Sequence, residues 1–116
     1  MKSPREHGDY IYDILDAIKK ALEFTQDMDF NQFEKDIKTQ FAVIRALEIV
    51  GEASKKIPSK IKDNSPNIPW REMSGMRDKL SHDYFGVDVA VVWETISKDL
   101  PLLLEQIRSI SNEINK

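Results

Sequence analysis

The chain has no cysteine at all. That excludes disulfides, thiolate-bound zinc and a thiol nucleophile. A cysteine-free chain suits a reducing cytosol, and its start, MKSPREHGDY, lacks the apolar core of an export signal, so a cytoplasmic protein is expected. Long apolar runs are missing too. None approaches the roughly 18 residues that a membrane span needs, so no membrane partner is expected. Only four glycines and five prolines interrupt 116 residues. Nowhere do apolar and polar residues alternate with the period of two that marks a strand. Positive charge is not in excess either, with 17 Lys and Arg against 20 Asp and Glu and a net charge of −3. Affinity for nucleic acid comes mainly from neutralised phosphates, so bulk charge does not announce an RNA binder. There is no glycine-rich phosphate loop and no carboxylate–histidine cluster of metal-site type. Neither a metal nor a cofactor is expected.

What remains reads as helix, and the length argues for one domain over residues 1–116. Residues 5–26 carry Ile11, Ile14, Leu15, Ile18 and Leu22 at helical spacing. A second helix is expected over 33–57, with Phe33, Ile37, Phe41, Ile44, Leu47, Val50 and Ile57 as candidate core. Its apolar arc widens between residues 41 and 50, as if covered both by its own bundle and by a partner. Residues 58–69, rich in Pro, Asn and Ser, read as a loop with room for one short turn. A third main helix is expected from 69 to 84, opened by Pro69 and stopped by Gly86. Asp88 then caps the last helix. Along it Val89, Trp93, Ile96, Leu100, Leu103, Ile107, Ile110 and Ile114 alternate steps of four and three, a bundle-packing seam. Pro101 should kink or split it. The fold class is all-α, a bundle of four main helices with a kinked C-terminal helix.

One stretch carries chemistry. In GMRDKLSHDYFGVD, Arg77 precedes His82 by five residues and Tyr84 follows two later. On a straight helix Arg77 and His82 would stand about 140° apart, at 3.6 residues per turn. They can converge if the helix loosens near Gly86, or if two copies of the motif meet across a symmetric dimer. Together they supply what RNA cleavage needs. Arginine's fork binds phosphate and offsets charge in the transition state. Histidine titrates near neutrality and can move the proton of a 2′-hydroxyl. His7 sits in a polar stretch and reads as an exposed side chain.

Other polar residues allow two readings each. Glu48 and Glu52 could orient Arg77 or His82 from a neighbouring helix, or Glu48 could simply pair with Arg45. Lys55, Lys56, Lys60 and Lys62 form a basic run that could track an RNA backbone or close a helix end. Trp70 and Trp93 read as core or interface rather than base-stacking platforms.

The motif Arg77-x-x-x-x-His82-x-Tyr84 resembles the signature of HEPN-domain proteins, and most closely of their HepT toxin branch, the partners of MntA-type minimal nucleotidyltransferases. Residues 42–58, AVIRALEIVGEASKKIP, resemble that branch's second main helix, and residues 68–101 its motif helix and last helix. The resemblance implies an all-helical homodimer with the two motifs facing one cleft, and metal-independent endoribonuclease activity. Arg77 and His82 would be its catalytic pair. Asp78 fills the position after the arginine, usually polar and often asparagine. Asp78, Glu52, Lys55 and Lys56 are the candidate RNA-contacting or supporting residues. The resemblance also implies an RNA substrate, tRNA or mRNA, and a nucleotidyltransferase antitoxin that attaches AMP to Tyr84. Two other readings stay open. One is a non-catalytic module that binds a nucleotide or partners a nucleotidyltransferase. The other is a structural dimer built on the 89–114 seam.

Overall fold

The computed structural model describes residues 6–80 and 87–114. The expectations for His82, Tyr84 and Gly86 lie outside the described residues, as does the side chain of His7. The helices are α1 (His7–Phe24), α2 (Phe30–Lys35), α3 (Ile37–Lys55), α4 (Ser59–Asn64), α5 (Trp70–Ser74), α6 (Met76–Leu80), α7 (Val89–Glu94) and α8 (Leu100–Ile114). A π-helical turn, Thr95–Asp99, joins α7 to α8. No strand occurs among the described residues, so the all-α expectation holds. None of the described helices is long and apolar enough to cross a membrane.

The frame of the bundle is α1 packed on both α3 and α8. From α1, Ile11, Ile14 and Ile18 are buried, and α3 meets them with Val43, Leu47 and Val50. Leu100, Leu103, Ile107 and Ile110 close the core from α8. Trp93 is half-buried and tilts against Phe33, with 5.2 Å between ring centroids. Trp70 is buried, and its indole N–H donates to the Ser65 carbonyl at 3.1 Å. Both tryptophans therefore serve packing.

Three boundaries differ from the sequence expectation. The helix expected over 33–57 breaks at Asp36, which ends α2 and caps α3. The Gln40 side chain spans that break by donating to the carbonyls of Phe33 and Glu34. The stretch 58–69 includes the short helix α4. The motif helix expected over 69–84 is interrupted at Gly75, between α5 and α6. Two core assignments also fail: Ile37 and Phe41 are 64% and 71% exposed. The interruption expected at Pro101 takes the form of the π-turn just ahead of it. There the Leu100 N–H reaches back to the Thr95 carbonyl. Proline offers no N–H and its ring crowds the carbonyl four residues earlier, and the wider turn relieves both.

The Asp36 cap gives the fold a pH-sensitive point. Hydrogen bonds from the Thr39 hydroxyl and backbone N–H, at 2.7 and 3.0 Å, hold its carboxyl below the ordinary 3.8. A lowered folded pKa adds stability above the unfolded value, and that stability is lost as pH falls through the folded value. Asp36→Ala is expected to lower the urea midpoint modestly at pH 7. The gap from the parent chain should narrow as pH drops below 3.8. A constant gap across that range would assign the effect to helix propensity instead.

Candidate active site

Arg77 stands on α6, a short helix lodged between α3 and α7. Its inner residues, Met76 and Leu80, are buried. On one side Lys79 reaches the π-turn, where its ammonium lies 2.9 Å from the Asp99 carboxylate. Arg77 is two residues from Lys79, about 200° around the helix, so it leaves α6 on the opposite flank. Its side chain is exposed, as is that of Asp78.

The facing flank of α3 follows from its register. At Gly51 the α3 backbone comes close to the α5–α6 junction. Residues three and four away share a face with it, which places Glu48 one turn before and Lys55 one turn after. Continuing by sevens toward the start of α3, Ile44 and Ile37 extend from Gly51, and Phe41 extends from Glu48. Ile37 and Phe41, the two exposed apolar residues of α3, thus lie on the stripe that runs up to Arg77's helix. Glu52, four residues after Glu48, and Lys56, four after Glu52, border this stripe on the α1 side. With Tyr10, Asp13, Arg45 and Ile49 they line a depression of about 270 Å³ toward α1. So Glu48 and Lys55 lie on the α3 stripe that passes the α5–α6 junction, Glu52 and Lys56 lie on its α1 edge, and Arg77 and Asp78 project, exposed, from α6. Glu48 also sits 3.9 Å from Arg45, the local pair that the sequence allowed.

The described residues on either side of 81–86 meet. The Asp88 N–H donates to the Leu80 carbonyl at 3.0 Å. The Asp88 carboxylate accepts from the N–H groups of Ala90 and Val91, capping α7 as expected. A backbone hydrogen bond thus joins the end of α6 to the start of α7. Among the described residues, no group of three or more His, Cys, Asp or Glu could hold a metal ion.

A family model described as ribonuclease HepT-like matches residues 14–110. The chain belongs to the HepT-like family. A probable ribonuclease HepT of Thermococcus cleftensis is 60% identical over 99 residues, covering 85% of this chain and 90% of the relative. A putative RNase of Methanocaldococcus jannaschii is 43% identical over 107 residues, 92% of each chain. Another, of Caldanaerobacter subterraneus, is 41% identical over 110 residues, 95% of this chain and 96% of the relative. No solved structure matches. The HepT-like match extends from α1 through the last helix, so it takes in the α3 stripe, α6 and the Leu80–Asp88 hydrogen bond as well as the motif. Two features of this HepT-like site were not singled out in the sequence. Lys79 pairs with a residue twenty positions on, which no local pattern signals. Gly51 had a legible signal, a glycine inside a strong helical pattern.

Proposed function

We propose that this chain is a metal-independent endoribonuclease, the toxin of a toxin–antitoxin pair, acting in the cytoplasm as a two-fold homodimer. The observation that carries the reading is the 60% identity to a probable ribonuclease HepT over nearly the whole chain. His82 takes or returns the proton of the 2′-hydroxyl or the leaving oxygen, and Arg77 clamps the phosphate on which charge develops. The stripe of Ile37, Phe41 and Ile44 meets its two-fold copy. That contact brings both motifs to one cleft, which removes the problem of aiming Arg77 and His82 from a single helix. Lys55, on the same flank, lies beside the RNA backbone. Purified protein should cleave RNA in EDTA. Activity that disappears in EDTA and returns with magnesium would overturn the mechanism.

Regulation follows from the same site. A cognate nucleotidyltransferase antitoxin of the MntA type transfers AMP from ATP to the hydroxyl of Tyr84, two residues past His82, and releases pyrophosphate. The added phosphate occupies the arginine fork, and the adenosine blocks the RNA path. Incubation with the antitoxin and ATP should add AMP-sized mass increments that map to Tyr84, with loss of cleavage. Tyr84→Phe should stay active under the same treatment. Silencing of that variant would sink this account.

A second reading keeps the fold and drops the cleavage: a module that binds a nucleotide or partners a nucleotidyltransferase. It is favoured by Asp78, an exposed acid beside Arg77, and by the net charge of −3. A chain that accepts AMP but cleaves no RNA would establish it.

A further inference from the structure

Gly51 occupies an unfavourable place for a glycine, inside the 19-residue helix α3. Glycine destabilises a helix interior relative to alanine, so something there must require the missing side chain. The requirement is visible. Gly51 is buried, and a methyl group on it would meet the Met73 carbonyl oxygen at 3.2 Å, the Met76 Cβ at 3.4 Å and the Ser74 carbonyl oxygen at 3.7 Å. The nearest of these atoms is backbone, and it cannot swing aside as a flexible side chain can. The Met73 N–H is bonded to Pro69 and the Gly75 N–H to Arg71, so the junction moves only as a unit. Met76, the next atom met, directly precedes Arg77.

We infer that Gly51 is a positioning residue for Arg77: its bare Cα sets how closely the α5–α6 junction seats on α3, and thereby where the guanidinium stands. The inference rests on the ribonuclease reading and names what fixes that site's geometry. On its other flank α6 is held by the Lys79–Asp99 pair and by the Leu80–Asp88 hydrogen bond. A methyl at Gly51 therefore makes the Met73 carbonyl and Met76 give by a few tenths of an ångström, against the Leu80–Asp88 hydrogen bond on the far side of α6. Transition-state contacts are sensitive to such shifts, with misplacements near 1 Å costing on the order of 10²-fold in rate.

The test compares Gly51→Ala with Gly8→Ala, whose new methyl would meet only Ile114 at an ordinary 3.7 Å. In the full-length protein, Gly51→Ala is expected to lower kcat for RNA cleavage about tenfold. KM should rise by less than kcat falls, and the pH profile of kcat should keep its shape. Gly8→Ala should match the parent. Unchanged kcat in Gly51→Ala, or a rise in KM with kcat retained, overturns the inference. A Gly51→Ala chain that fails to fold overturns it as well, because the contact would then serve the whole bundle rather than α6. If the parent chain itself does not cleave RNA, the ribonuclease reading falls. Amide hydrogen exchange then decides the inference: faster exchange over Met76–Leu80 in Gly51→Ala upholds the seating role, and equal exchange refutes it.

Discussion

His82→Ala is expected to slow RNA cleavage by about 10² to 10⁴, the usual contribution of a positioned general acid or base. Arg77→Ala should lose about 10² to 10³, the scale for removing one donor aimed at a developing negative charge. The two losses should differ in kind. Without His82 the chain still holds RNA but moves no proton, so kcat falls and KM stays. Without Arg77 the phosphate is held less well in the ground state too, so KM also rises. Arg77→Lys should recover little, because an ammonium cannot reproduce the two-pronged contact. None of these changes should unfold the protein. Arg77 is exposed, and α6 is anchored through the buried Met76 and Leu80. Single-turnover cleavage of a labelled RNA, read beside thermal melts, separates the cases. Full activity in His82→Ala would remove histidine from the mechanism, and growth arrest on expression of that variant would say the same in cells.

On the proposed two-fold contact, Phe41→Asp should leave the chain a monomer at micromolar concentration and abolish cleavage with it. Phe41 is 71% exposed on a stripe it shares with Ile37, at 64%. Burying a side chain of this size stabilises by about 1.5–3 kcal/mol. A two-fold interface contains the residue twice, so its loss weakens association by about 3–6 kcal/mol, or roughly 10²- to 10⁴-fold in Kd. An unpaired carboxylate buried in the same place adds to that. Light scattering across a dilution series reads the mass, and circular dichroism checks that the monomer keeps its helices. A variant that remains dimeric would move the interface off α3. A monomer that still cleaves would show that one motif suffices.

The helical pattern of the sequence carried the bundle because burial and period coincide where a helix packs on its own chain. Ile11, Ile14 and Ile18 were legible in that way, as were Leu100, Leu103 and Ile107. The same pattern misled at Ile37 and Phe41. Period shows that a face is apolar, not which chain covers it. It also ran straight through Asp36, because Phe33, Ile37 and Phe41 keep helical spacing across the break. The cap there depends on Thr39 three residues on, a weak local signal. At the site, the sequence supplied residue types and spacing. It did not show that the motif helix is interrupted at Gly75, nor that Glu52 and Lys56 face α1, because both depend on how α3 rolls against its neighbours.

The π-turn has a consequence for the length of this chain. Val92, Ile96 and Leu100 are four apart, and all three are buried. On a regular helix two such steps drift about 80° off a common face. Wider turns take up that drift, which is how a helix accommodates one surplus residue without moving either end. The Thr95–Asp99 segment therefore has the geometry of an absorbed insertion, with Pro101 holding it in place. A HepT-like chain one residue shorter here, and without the proline, could run as an uninterrupted helix into the same core. Gene-length differences of a single codon in this stretch would leave the bundle's interior unchanged, and the difference would fall on the side that carries Asp99 and its bond to the Arg77 helix.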